Sequence, residues 1–265
     1  MNRIEEKMTA LKNEGRKAFI TYTTAGLPDM ETTKKIMFAQ QEAGIDVMEL
    51  GIPFSDPVAD GPVIQAASYE AIQKGATLTK IFTLMKEVRK EGLTTPVVFM
   101  MYYNTVYHYG LEEFVEMCAD CGVDGLIIPD LPYEEQKEIN AVLAENEAAP
   151  ILIQLVSPVS KQRIPMIVNN ARGFVYCVSQ MGVTGNGANF HKQIREYLLE
   201  VKKNSPVPVM MGFGIRTAED VRPMKEIIDG AIVGSHFITL MRKHGFDPQA
   251  AADYCSTFKK ELNEM

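Results

Sequence analysis

The sequence predicts a (β/α)8 barrel of the TIM type, one domain over residues 1–265 with an extra helix at its N-terminus. Three observations carry that expectation. Eight short apolar runs punctuate the chain, helical periods fill the gaps between them, and no linker, composition break or low-complexity segment divides the 265 residues. Continuously apolar runs flanked by Gly, Pro or Asp suit parallel strands covered on both faces. An open doubly wound sheet is the rival. It would usually show a Gly-rich fingerprint after the first strand, and TTAGLPD at 23–29 is not one.

In chain order, MNRIEEKMTALKNEG reads as a charged helix with Ile4, Met8 and Leu11 on its inner side, not as a secretory signal. The strand-like runs are AFITY (18–22), DVMELGI (46–52), PVVFMMYY (96–103), GLIIPD (125–130), ILIQLV (151–156), GFVYCVS (173–179), PVMMGF (208–213) and GAIVGS (230–235). Between them, Leu111, Phe114, Val115 and Cys118 share a face of LEEFVEMCADCG, and Phe190, Ile194, Leu198 and Val201 share one of NFHKQIREYLLEVKK. No residue-level repeat is visible beyond this strand–helix rhythm.

The bulk numbers exclude several function classes. With 46% hydrophobic and 23% charged residues the chain can bury a sizeable core. A net charge of −7, with no run of Lys and Arg, argues against a nucleic-acid footprint. No apolar run approaches a membrane span. Cys118 and Cys121 form a C-x-x-C, but no second pair or His cluster completes a metal set. With Cys177 and Cys255 they read as reduced structural thiols, and a cytoplasmic location is the expectation. His108, His191, His236 and His244 fall in no triad-like or metal-like spacing.

In this fold the chemistry gathers at the carboxyl ends of the strands. VMELGIPFSDPVADGP, residues 47–62, puts Glu49 near the end of the second strand and Asp60 in the following loop, so both reach one mouth. An uncharged strand would avoid the several kcal/mol that a charged, unpaired, buried carboxylate costs. Glu49 therefore reads either as an acid–base group or as a carboxylate held in an ion pair, and Asp60 either as its partner or as a helix cap in ADGPVIQAA. After the last two strands, MGFGI and VGS place Gly212, Gly214, Gly234 and Ser235 together, a pattern that suits phosphate. The loop SQMGVTGNGANF, 179–190, carries Gly182, Thr184, Gly185 and Gly187 and reads as a bare connection or as a lid that excludes water.

ELGIPFSDPVADGPVIQ closely resembles the signature of the tryptophan synthase alpha subunit family, as do GVTG in the sixth loop, GFGI after strand seven and GS after strand eight. The resemblance runs essentially end to end. It implies a carbon–carbon lyase of tryptophan biosynthesis that cleaves indole-3-glycerol phosphate to indole and glyceraldehyde 3-phosphate by a retro-aldol reaction. Asp60 then matches the carboxylate that accepts the ring N–H, and Glu49 the residue that protonates indole C3 and takes the glycerol hydroxyl proton. The indole pocket falls by similarity on Tyr22, Met100, Tyr102, Ile127, Ile153, Tyr176 and Phe213, each of which read singly is more at home in a core, while together they describe one mouth. The phosphate falls on backbone around Gly185, Gly214, Gly234 and Ser235, and the lid closes through Thr184 toward the loop of Asp60.

The resemblance also implies a partner, a pyridoxal-phosphate β subunit in an α2β2 complex. Asp56 and Pro57 are its candidate interface residues, or simply an Asp-Pro turn. The cofactor belongs to that partner, and this chain is expected to hold none. Gln180 stands where the family commonly carries Arg, and Tyr22 where Phe is common. Another phosphate-handling barrel of the same pathway, or a silent subunit that only activates its partner, would share parts of this pattern. Retention of both carboxylates argues against the silent subunit.

Overall fold

The structure is a computed structural model that describes residues 2–178, 188–212 and 214–265, the side chains of 188–191 excepted. Its elements run α1 (Arg3–Asn13), β1 (Ala18–Thr24), α2 (Met30–Glu42), β2 (Val47–Gly51), α3 (Pro62–Gln73), α4 (Leu78–Lys90), β3 (Val97–Met100), α5 (Tyr103–Tyr109), α6 (Leu111–Asp120), β4 (Gly125–Ile127) and α7 (Lys137–Ala144). There follow β5 (Ile151–Leu152), β6 (Gln154–Val156), α8 (Ile164–Val168), β7 (Val175–Val178), α9 (Ala188–Asn204), β8 (Val209–Gly212), β9 (Gly230–Val233), α10 (Ser235–Lys243) and α11 (Pro248–Glu264).

The strands pair in the order β5-β4-β3-β2-β1-β9-β8-β7-β6, with parallel ladders throughout. The two ends of that sheet, β5 and β6, are one stretch of chain interrupted at Ile153, so the sheet closes on itself. The eight apolar runs are thus the eight staves of a nearly closed barrel, the fifth in two pieces. The helix start read in ADGPVIQAA opens α3, between β2 and α4, whereas α5, which starts at Tyr103 at the tail of the third run, was not foreseen.

Alternation along each strand decides what fills the barrel. Ala18, Ile20, Val47, Val98, Ile127, Ile151, Ile153, Phe174, Met210 and Ile232 form its interior cluster, together with Ile4, Met8 and Leu11 of α1. The extra helix therefore plugs the amino end of the barrel. Each of its three apolar anchors is 5% exposed or less, and burying such a side chain stabilises by about 1.5–3 kcal/mol. A side chain on Gly125 would sit 2.9 Å from Cδ1 of Ile4, so β4 begins with glycine where the plug presses against it. Asn2 caps α1 in a capping box with Glu5, and its amide also donates to the Asp124 carbonyl at 2.8 Å.

A residue-level repeat does exist, contrary to the sequence expectation. Asp46, Asp124 and Asp229 each stand just before an even-numbered stave. Each donates its backbone N–H to one carbonyl of the preceding strand and accepts that same residue's N–H on its carboxylate. The partners are Phe19 (3.0 and 2.8 Å), Val97 (2.9 and 2.8 Å) and Val209 (2.8 and 2.7 Å). A cation from the helical layer completes each staple: Lys259, Arg89 and Lys202 at 2.5, 2.7 and 2.5 Å. The short GID, GVD and IID spellings carry too little pattern to stand out without the pairing.

The helical faces follow their periods. Phe114, Val115 and Cys118 of α6 are buried, with Leu111 packed partly against the same core. On α9, Ile194, Leu198 and Val201 are 2% exposed or less, while Phe190 falls outside the described side chains. All four cysteines are buried free thiols.

Candidate active site

Val47, Glu49 and Gly51 point the same way along β2, into the barrel, by the two-residue period of a strand. Glu49 is 1% exposed, and neither of its carboxyl oxygens has a hydrogen-bond partner among the described residues. The ion-pair alternative is therefore not what the fold builds. Burial first, and the Asp60 charge second, push its carboxyl up to about 8, so Glu49 is chiefly neutral at pH 7. A neutral carboxyl in an apolar site is an acid waiting for a base to protonate.

Asp60 closes the loop after β2. The helix-cap alternative fails, because the N-cap of α3 is Gly61, with Pro62 as first helical residue and no side-chain capping bond. The Asp60 side chain is thus free for the mouth, while its backbone is tied down: its N–H donates to Pro57 O at 3.0 Å, and its carbonyl accepts from Gln65 Nε2 at 2.9 Å. Burial pushes its carboxyl up to about 6, and the Tyr102 hydroxyl draws it back down. Asp60 is therefore chiefly ionised at neutral pH, beside a chiefly neutral Glu49. Two carboxyls with separated proton affinities are what an acid paired with a charge stabiliser requires.

Tyr102 ties the loop to β3. Its hydroxyl accepts from the Ala59 N–H at 2.9 Å, and its ring stacks on Phe54 at 5.1 Å. Tyr22 and Tyr176 reach the same two carboxyls, since both phenols are pushed well above their usual range by burial and by the charges of Asp60 and Glu49. Each leans over a glycine on the next strand. A side chain on Gly51 would fall 1.9 Å from the Tyr22 hydroxyl, and one on Gly212 would fall 2.6 Å from the Tyr176 ring. These two glycines, with Gly234 above Ile232, leave the top layer of the barrel unfilled by side chains of their own. That is why there is a mouth instead of more core.

Ile127, Ile153, Met100 and Tyr176 pack in the interior cluster directly under this mouth, and Met100 also touches the cluster of Tyr22. The structure thus gathers every named pocket residue it describes. Two were missed. Leu155 packs beside Ile153 and follows it by two, so strand alternation alone would have found it. Ile64 comes in on α3, and nothing in its local sequence announces that.

At the far side of the mouth, Gly214 has φ +49° and no atom of the described residues within 4 Å of where a side chain would be, and Gly234 leads into α10, whose N-terminus has no side-chain cap. Ser235 is the first residue of that helix. Gly185, Thr184, Gln180 and Phe213 lie outside the described residues, as does the rest of 179–187. Of the two candidate interface residues, Asp56 is exposed and Pro57 is buried. Next to them Val58 is 83% exposed.

The family model described as tryptophan synthase alpha chain matches residues 8–265. A tryptophan synthase alpha chain of Lachnospira eligens is 74% identical over 263 residues, covering 99% of this chain and 100% of that protein. One from Thermoanaerobacter sp. (strain X514) is 45% identical over the full length of both. The crystal structure of tryptophan synthase subunit alpha from Legionella pneumophila str. Paris superposes with a TM-score of 0.90 at 33% identity, covering all of both chains. Fold, mouth and sequence agree, and the chain belongs to the tryptophan synthase alpha chain family.

Proposed function

We propose that Glu49 and Asp60 carry out the alpha reaction of tryptophan synthase at the barrel mouth, cleaving indole-3-glycerol phosphate to indole and glyceraldehyde 3-phosphate. The observation that carries this reading is the pair itself: a buried, partnerless, chiefly neutral carboxyl facing a chiefly ionised one. Indole is a poor carbanion leaving group, so C3 takes a proton first. Glu49 gives it. The ring becomes a cation, and Asp60 accepts the ring N–H and steadies the charge. Glu49, now a carboxylate, removes the proton of the glycerol hydroxyl next to C3. The C–C bond breaks, its electrons return to the ring, the carbinol carbon becomes an aldehyde, and Glu49 regains its proton.

The rest of the mouth orients the substrate. Tyr22, Met100, Tyr102, Ile127, Ile153, Tyr176 and Phe213 enclose the ring. Gly214, Gly234 and the Ser235 hydroxyl at the uncapped start of α10 receive the phosphate, where helix N–H groups favour an anion, and Gly185 and Thr184 join from the lid loop. One domain over 1–265 supplies all of these groups, and the cytoplasm suits its buried free thiols.

The partner is a β subunit bearing pyridoxal phosphate, in an α2β2 assembly. Val58 beside Asp56 in the Asp60 loop, Tyr107 on α5 and Val159 after β6 are 83%, 73% and 79% exposed and all lie on carboxyl-end connections. Large apolar side chains left in water on one face mark a docking surface.

The test is to mix purified chain with indole-3-glycerol phosphate and follow indole, with and without β subunit, beside Glu49→Gln and Asp60→Asn. Both variants should fold and lose at least about 100-fold in kcat, the usual scale of a lost general acid or preorganised charge. A folded Glu49→Gln with near-normal cleavage would overturn the assignment. A chain that binds β subunit and releases no indole even in the complex would instead be a silent activator.

A further inference from the structure

Asp60 and the phosphate end stand at the starts of two neighbouring helices, and the contact that locks those helices lies away from the mouth. Asp60 comes just before Gly61, the N-cap of α3, and Gly234 is the N-cap of α10. The two helices pack side by side. At their starts, a side chain on Gly234 would have Ile64 Cδ1 at 4.0 Å. In the middle, Ala67 and Ala71 of α3 share one buried cluster with Ile238 of α10, each 3% exposed or less. Small alanines let the helix axes approach closely. At their far ends, Arg242 Nη1 meets Glu70 Oε2 at 2.7 Å. Start faces start and end faces end, so the helices run in the same direction. Lys74, which ends α3, holds Glu70 from its own helix at 3.0 Å. Lys74 first, and Arg242 with it, keep the Glu70 carboxyl below its usual range. Among the described residues, Arg242–Glu70 is the only ion pair that joins α3 to α10.

Resting on the roles assigned to Asp60 and to the phosphate end, we propose that Arg242 and Glu70 are positioning residues. Their ion pair stops α10 from sliding along α3, and so sets the distance between the Asp60 carboxylate and the Gly234–Ser235 phosphate site. Apolar packing between the helices is non-directional and resists a slide weakly. A charged hydrogen bond has a fixed length and direction, and supplies the register. Neither residue touches the substrate, since each lies about 10 Å along its helix from the mouth at 1.5 Å per residue. The substrate carries its ring at one end and its phosphate at the other. Both contacts form together only when the two helix starts are correctly spaced. A ligand that fills one end alone is indifferent to that spacing.

The test is a charge-swap cycle in the indole-release assay, with Arg242→Glu, Glu70→Lys and the double variant. Each single change sets like charges across the contact, and the double change restores an attractive pair in reverse. Each single variant loses about tenfold in kcat/KM, within the roughly 100-fold that an ångström of misplacement can cost. The double variant recovers to within about threefold of wild type, the remainder reflecting Lys74 without its partner. Inorganic phosphate and indole serve as one-ended competitive inhibitors, and the Ki of each stays within about twofold in every variant. Melting temperatures stay within about 4 °C, because the pair is partly exposed. Single variants with wild-type kcat/KM overturn the proposal, and so does a loss that the double variant fails to recover. A loss matched by equal weakening of phosphate or indole also overturns it, since that is what a merely structural loosening would produce. Wild-type chain that released no indole would sink the assigned reaction itself, whereas active wild type with unmoved single variants sinks this inference alone.

Discussion

Glu49 is the costliest residue in the barrel and the most informative. Its carboxyl holds a proton up to about 8 when folded, against 4.5 when free. Folding therefore binds an extra proton between those values, and stability falls as pH rises from about 4.5 to about 8. A glutamine carries no such linkage. Glu49→Gln should be more stable than wild type at pH 8, by up to roughly 4 kcal/mol, and should lose that advantage by pH 4.5. Urea unfolding at the two pH values reads this directly, and a pH-independent difference would mean that Glu49 is not held neutral. The same two ionisations bound activity. With Asp60 at about 6 and Glu49 at about 8, the productive pair exists between those values, so kcat/KM should follow a bell with limbs there.

At the scale of elements, the barrel rests on devices that local sequence shows unevenly. The eight staves are legible because a strand covered on both faces must be apolar throughout. The plug helix is legible from its period and its cap, since Asn2 and Glu5 spell the start of a helix in the chain itself. The aspartate staples are not, because a lone Asp before a strand is indistinguishable from turn chemistry until its partner strand is known. Their burial sets their worth. The side chains of Asp46 and Asp124 are 2% and 3% exposed, against 35% for Asp229. Asp124→Ala leaves Arg89 buried beside β4 without its counter-charge and should destabilise by about 3–5 kcal/mol. Asp229→Ala, whose partner Lys202 is half in water, should cost about 1 kcal/mol or less from its ion pair. Midpoints of urea unfolding rank the two, and equal losses would contradict the burial argument.

For the whole molecule, the barrel has one plugged end and one open end, and Glu49 and Asp60, the proposed reactive pair, lie at the open one. The same face carries Val58, Tyr107 and Val159 in water, so chemistry and the proposed docking surface share a rim. The Asp60 loop joins them, with Val58 outward two residues before Asp60 turns in. Val58→Asp should weaken association with β subunit at least about tenfold, the effect of a charge placed in an apolar contact, while leaving the melting temperature within a degree or two. Titration calorimetry against β subunit measures it. Unchanged affinity would move the docking surface elsewhere.

The sequence by itself determined the barrel and its extra N-terminal helix and singled out two carboxyls, because apolar continuity, helical period and an acid in the middle of an apolar strand are local facts that burial must answer. Tertiary structure alone decided how they act. The Glu49 carboxyl is chiefly neutral because the closed barrel offers it no partner among the described residues, and Asp60 is available because Gly61 caps α3 in its place. Gly51 and Gly212 are empty because tyrosines from neighbouring strands occupy their space. Electrostatic environment and close packing are properties of residues brought together from distant parts of the chain, and no window of sequence contains them.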